Sequence, residues 1–333
     1  MGSEEGGALK PAMQRRAILT GLLALPAIAR AQPGFPDRPL RLVIPWPPGG
    51  TNDIVGRLAT EGMSQRLGQP FIIENRGGAG GMIGADMVAK APPDGYTIVL
   101  GGSGSLTLTA LVNPRVPFDA ATAFAPIGLI GEGPNVIVVH PSLPVRTMRE
   151  LQDYARRANP PMAYASPGVG STGHAAGAMI AQALGVEMVH VPYRGTGPAL
   201  TDVVAGRVPL FANALAPMLP HIQEGRLRAL AIAGARRSPA APDLPSTGEA
   251  GFPSIIAATW YGLLAPSGTP PDRVARLHAA LNATLADPAA QRRLAEGGID
   301  VEPSESPDAF TRYFAEDRIR WARVVRGADM RVE

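Results

Sequence analysis

Leu40-Arg41-Leu42-Val43-Ile44-Pro45-Trp46-Pro47-Pro48-Gly49-Gly50-Thr51-Asn52-Asp53 is the stretch whose reading decides the fold. Its first five residues are an apolar run of strand type. Just after it, Val55, Ala59, Met63 and Leu67 recur four apart, the spacing that stacks side chains on one helix face. A strand, a Pro/Gly turn and a helix start therefore follow one another. Thr51 or Asn52 is expected to cap the helix. The first N–H groups of a helix have no intrahelical acceptor and lie at the positive end of its dipole. Such a turn attracts an anion. Gly49 and Gly50 leave room for a ligand beside the backbone. Taken alone, the stretch fits a plain strand-to-helix turn equally well.

Outward from it, 71–75 reads as a second strand, 82–91 as a helix with Ile83, Met87 and Val88 inward, and 96–100 as a third strand. This alternation predicts a parallel sheet with helices packed on it. The loop Arg76-Gly77-Gly78-Ala79-Gly80-Gly81 does not fit a nucleotide site. Ile83 stands where a dinucleotide fingerprint needs its third glycine, and Lys90 is followed by Ala91, not Ser or Thr. The loop reads instead as close packing of helix on strand. Gly101 to Ser105 follow the third strand at its C-terminal end, where open α/β sheets bind ligands. Ser103 either donates to a ligand there or closes the turn.

A second block repeats the pattern. Strand 162–166 runs into Pro167-Gly168-Val169-Gly170-Ser171-Thr172-Gly173-His174, which opens a helix. Ser171 and Thr172 suit either capping or donation to an anion. Strand 186–191 ends in Pro192-Tyr193-Arg194-Gly195, and strand 208–213 ends at Asn213. Arg194 fits a carboxylate partner or plain surface, and Tyr193 a ligand cover or core. Strand 259–266 returns to the first block, and helices complete the tail. The expected organisation is one domain of residues 32–133 and 260–333, with a second, 134–259, inserted in it. Two crossings then make a hinge with a cleft.

The 333 residues include 39 Gly and 35 Pro, and their 45% hydrophobic content suits a folded core. No Cys is present, which excludes disulfides and thiolate chemistry. Residues 1–31 read as an export leader. Arg15-Arg16 precede an apolar run too short to span a bilayer, and Ala29-Arg30-Ala31 ends it as a cleavage site; Met13 is a possible true start. The paired arginines leave twin-arginine export open beside the general route. Beyond the leader stand 27 basic and 26 acidic residues, a balance that offers no footprint for nucleic acid. No cofactor or metal site is expected. The histidines make no His-Glu-x-x-His, and Ser105 and Val169 break the two possible Gly-x-Ser-x-Gly elbows. A hydrolase would have to pair Ser171 with His174, three residues on.

The motifs resemble, in order, the Bug (TctC-like) family of periplasmic receptors of tripartite tricarboxylate transporters. They are Phe35 to Pro45 running into Gly49-Gly50-Thr51-Asn52-Asp53, Glu74-Asn75-Arg76, Gly78 to Gly81 and Pro93-Asp94-Gly95-Tyr96-Thr97. Then follow Ser166 to Ser171, Val191-Pro192-Tyr193-Arg194-Gly195, Leu227 to Ala231 and Trp260 to Pro266. Together they span nearly all of the chain after the leader.

The resemblance implies a periplasmic-binding-protein type II fold, a Venus flytrap of two doubly wound α/β domains on a two-crossing hinge. It implies no enzyme, a small carboxylate ligand, either an organic acid or an acidic amino acid, membrane permease subunits as partners, and a monomer. The ligand-binding residues it implies in the first domain are Trp46, Pro48, Gly49, Gly50, Thr51, Asn52, Asp53 and Ser103. In the second they are Ser166, Gly168, Gly170, Ser171, Thr172, His174, Tyr193, Arg194, Gly195 and Asn213. The family often has an acidic residue in the segment 206–213, where Pro209 and Asn213 stand here, so the ligand stays open. A ligand-sensing partner of a membrane signalling protein would use the same cleft.

Overall fold

The structure, a computed structural model, describes residues 34–327 and 330; the expected leader lies outside them. The first five residues of the decisive stretch form β1 (Leu40–Ile44), and α1 (Thr51–Leu67) follows the turn. Then come β2 (Phe71–Asn75), α2 (Met82–Ala89), β3 (Thr97–Gly102), a wide helical turn at Ser103–Leu108, and α3 (Thr109–Val112). The long β4 (Phe124–Val139) leads to α4 (Met148–Arg157), β5 (Ala163–Ser166), α5 (Thr172–Leu184), β6 (Val189–Pro192), α6 (Thr196–Val204) and β7 (Leu210–Ala214). The chain closes with α7 (Leu219–Gln223), β8 (Arg228–Ile232), β9 (Ala258–Pro266), α8 (Pro271–Leu285), α9 (Pro288–Glu296), β10 (Asp300–Val301) and α10 (Pro307–Gly327).

The strands join in the order β2-β1-β3-β9-β4-β7-β5-β6, with β8 and β10 also on β4. β1 lies parallel to β2 and β3, and β5 lies parallel to β6 and β7. Between these parallel groups run β9 and β4, antiparallel to each other. β4 belongs to both groups: 124–134 pair with β9, and 135–139 with β7 and β8. The return passage lies alongside, since Asn135 N–H donates to Ala257 C=O at 3.0 Å and Ala258 opposes Pro134.

Alternation along the strands divides the apolar side chains between the two faces of each sheet. Leu40, Leu42, Ile44, Ile98 and Leu100 join α1 and α8 on one face, while Val43 and Val99 meet Trp260 and Phe310 on the other. The expected row Val55, Ala59, Met63 and Leu67 is buried on α1. In the second group, Ile137 and Val139 face α4 and α5, and Val136 and Val138 face α6. These are two doubly wound α/β units with helices on both faces.

α10 spans both units. Phe310 and Phe314 pack with Trp260, whereas Trp321 and Val325 pack in the core that holds Ile137 and Ile180. Between them Asp317, almost fully buried, accepts from Trp260 Nε1 at 2.7 Å, Thr107 Oγ1 at 2.9 Å and Arg320 at 2.6 Å. Tyr313 bonds Glu132 of β4.

Candidate functional site

The turns opening α1 and α5 meet across one cavity of about 50 Å³. Trp46, Pro48, Gly50, Thr51 and Asn52 line it from the α1 side, and Ser171, Thr172 and Asn213 from the other. These are eight of the expected residues. Sequence reasoning did not single out Gly102, Gly104, Thr196, Gly197, Ala214, Thr259 and Tyr261, and it reached Pro47 and Pro167 only as members of the two expected turns. Gly102 and Gly104 flank the expected Ser103, so the signal lay one residue to either side.

A wider cavity of about 850 Å³ lies next to it, with Trp46, Pro47 and Pro167 as the shared wall. Gly168, Tyr193, Arg194 and Gly195, expected in the ligand site, line this outer space instead. The Tyr193 phenol donates to Asp202 at 2.8 Å. Ile83, expected inward on α2, is 54% exposed and faces the outer cavity.

The backbone geometry differs from the capping expectation. Gly50, not Thr51 or Asn52, is the N-cap of α1, and it offers no side-chain cap. Asp53 and Ile54 N–H both turn back to Gly50 C=O, whereas the N–H groups of Gly50, Thr51 and Asn52 have no protein acceptor. Thr51 Oγ1 is buried and also has no partner at hydrogen-bonding geometry. On α5, Ser171 does cap: its Oγ accepts from His174 N–H at 3.1 Å and donates to Gly168 C=O at 2.7 Å. That spends its proton, so it has none for an anion. Thr172 and Gly173 N–H remain free of protein acceptors. Thr172 Oγ1 meets Thr259 Oγ1 at 2.7 Å; one proton serves that bond and the other is left for a guest.

Several expected residues act as supports beneath the lining. Asp53 accepts from Gly49 N–H at 3.2 Å, from Asn75 at 3.1 Å and from Arg57 at 3.0 Å, so both its oxygens are occupied. Burial pushes its pKa up, but the bonds from Arg57, Gly49 and Asn75 outweigh that and hold it below the usual range. Gly49 thus serves as a donor to this carboxylate. Ser103 is fully buried and accepts from Trp260 N–H at 3.3 Å. Ser166 Oγ lies 2.6 Å from His190 Nε2 and accepts from Gly168 N–H at 3.1 Å.

His174 stacks on His190 with ring centroids 4.0 Å apart, and its Nδ1 accepts from Gly170 N–H at 3.4 Å. Burial, helped by the neighbouring His190, lowers its pKa to about 3; burial lowers that of His190 to about 4. The His174 ring makes no hydrogen bond to Ser171, so the Ser–His pairing considered from the sequence is not formed.

No acidic, basic or histidine side chain lines the inner cavity. Tyr261 is its one ionisable group, and burial raises the phenol pKa, with Thr51 and Thr259 opposing weakly, so it stays a neutral donor. Asn213 Nδ2 bonds Thr196 Oγ1 at 2.9 Å. Main-chain N–H groups, hydroxyls and a carboxamide make up the polar equipment. The described residues contain no cluster able to hold a metal ion.

Comparison with known proteins decides the affiliation. Residues 55–330 match the model described as the tripartite tricarboxylate transporter family receptor. The chain belongs to that family. It is 33% identical to protein BugT of Bordetella pertussis over 310 residues, 93% of this chain and 94% of that one. Among solved structures it resembles Rhodopseudomonas palustris MatC with bound malate, at 34% identity and TM-score 0.82 over 87% of this chain and 100% of that one. It also resembles R. palustris Rpa4515 with adipate, at 36% identity and TM-score 0.86 over 89% and 99%. The family consists of solute-binding receptors, and the fold is the expected periplasmic-binding-protein type. Among the described residues no helix is long and apolar enough to cross a membrane.

Proposed function

We propose that the chain is an exported, monomeric receptor that closes residues 32–133 with 260–333 and residues 134–259 over a small carboxylate. It then hands the ligand to the membrane subunits of a tripartite tricarboxylate-type transporter. The observation that carries this reading is the shared cavity. Two helix starts converge there, their first N–H groups lack protein acceptors, and the buried Thr51 hydroxyl has no partner. Unpaired buried donors are costly, and a carboxylate accepts from several at once. The positive helix ends favour the same charge. The malate bound in one structural relative and the adipate in another fit this ligand class.

Thermal unfolding of the purified mature protein against mono-, di- and tricarboxylates tests it. A binder present at a hundredfold excess over Kd stabilises by about 2.7 kcal/mol. Ligand-free protein that no member of the panel stabilises would refute the reading.

A further inference from the structure

We propose that Trp46 sets the length of the ligand: its indole ends the inner cavity, so the closed receptor accepts acids short enough to lie wholly inside and turns away those with a longer chain. The inference rests on the reading of the inner cavity as a carboxylate site and adds a length limit to it.

Two spaces of very different size meet at this residue. The inner cavity holds about 50 Å³ and the outer one about 850 Å³, and Trp46, Pro47 and Pro167 line both. Exposed Ile83 and Arg194 line the outer space, so it opens to solvent. The unpartnered Thr51 hydroxyl and the free N–H groups of the helix starts belong to the inner space. An acid's head group is therefore drawn inside, and whatever does not fit there has to pass the wall.

The wall is stiff and closely fitted. Trp46 stands between Pro45 and Pro47, whose rings fix their own φ and hold Trp46 to extended backbone. Its C=O accepts from Asn75 Nδ2 at 3.1 Å, and the same nitrogen donates to Asp53 at 3.1 Å. A Cβ on Gly104 would lie 3.2 Å from Trp46 Cζ2, so the indole edge rests on that glycine. A Cβ on Gly195 would lie 3.0 Å from Pro47 Cγ, which brings the second half of the molecule against the same wall. Held this way, the indole resists displacement, and a guest that collides with it loses affinity. One methylene too many in a fitted pocket costs about 10- to 200-fold.

Three series vary length behind a constant head group: diacids from malonate to sebacate, monoacids from acetate to octanoate, and the amino acids aspartate, glutamate and 2-aminoadipate. Calorimetric titration of ligand-free mature protein should show, in a series that binds, a break of at least about tenfold at one added methylene. Trp46→Ala joins the two spaces and should move that break to longer acids or remove it. Gly104→Ala presses on the indole and should move it to shorter ones. Should Trp46→Ala not fold, as circular dichroism checks, Trp46→Phe is expected to shift the break in the same direction by less. Of the three tryptophans, Trp260 and Trp321 are almost fully buried and Trp46 is half-buried. Binding should therefore change the intrinsic fluorescence, and Trp46→Phe should lose that response. Affinity that varies smoothly to the longest acid, or a break that stays in place in Trp46→Ala, would overturn the length limit while leaving the carboxylate reading intact. Binding of no member of the three series would overturn both.

Discussion

Gly170 sits at φ +78°, and a Cβ there would lie 2.8 Å from Thr109 Oγ1 and 2.9 Å from Thr109 Cα across the cleft. Gly170→Leu therefore meets two obstacles, left-handed backbone strain of about 1–2 kcal/mol and a collision with the other half of the molecule. Gly225 provides the control, since it has φ +70° with open space around it. Both leucine variants should lose a few degrees of Tm, and only Gly170→Leu should lose ligand-induced stabilisation. Equal binding by the two would contradict the placement of this loop in the closed site. At this scale the sequence was a partial guide. Residue types marked the two turns correctly, because small and polar residues before an apolar period carry a physical meaning. They did not tell lining from support. Asp53 and Ser166 stand beside lining residues in the chain but bond beneath the loops, and that depends on which way each side chain turns. Tyr261 and Thr259 reach the cavity from the middle of a strand, not from a Pro/Gly turn before a helix.

α10 was read as a tail helix, yet it fastens both crossing strands. Asp317→Ala would leave Trp260 Nε1 and Thr107 Oγ1 without their acceptor and Arg320 without its ion pair. Allowing for the partial exposure of Arg320, the cost should be about 3 kcal/mol, seen as a lower urea midpoint with an unchanged m-value. A loss below about 1 kcal/mol would show that the network is dispensable. β4 is the element the sequence hid best. Only its end, 136–139, is an unbroken run of β-branched apolar residues; Pro126, Gly128, Gly131 and Pro134 break up the rest. The structure shows why they are tolerated, with register shifts at Pro126/Gly128 and Leu129/Gly131 where the strand bulges. Under the α5 loop, the His174–His190 stack makes a pH prediction. Unfolded, both rings titrate near 6.5, and folded they do so near 3 and 4. Between these values the unfolded chain holds more protons. Their contribution is therefore complete above about pH 6.5 and is lost as pH falls towards 4. Tm should drop between pH 7 and 4.5 in the wild type and drop less in His174→Phe/His190→Phe. Parallel curves for the two would remove the histidines from the account.

In the molecule as a whole, α10 packs into both cores, and beside the cavity glycines bring the two halves into close approach. Gly80 lies against Val169 C=O, Gly170 against Thr109 and Gly195 against Pro47. Among the described residues no ion pair within 4 Å joins residues 134–259 to the rest. The cavity between the halves keeps unpaired donors, which costs the closed form stability when it is empty. A ligand that satisfies those donors from both sides favours the closed form by its differential affinity, and without it the open form should be well populated. The absence of Cys makes this directly measurable, because two introduced cysteines are the only places a spin label can attach. Ile83 and Arg194, both exposed, line the outer cavity from opposite halves. Ile83→Cys/Arg194→Cys, labelled at both thiols, should show weak, broadly distributed dipolar coupling in ligand-free protein. Saturating carboxylate should give stronger coupling over a narrower range. The same distribution with and without ligand, in protein shown by calorimetry to bind it, would mean that these halves do not move on this hinge. The cavity would then have to fill by another route, past the Trp46, Pro47 and Pro167 wall that divides it from the outer space.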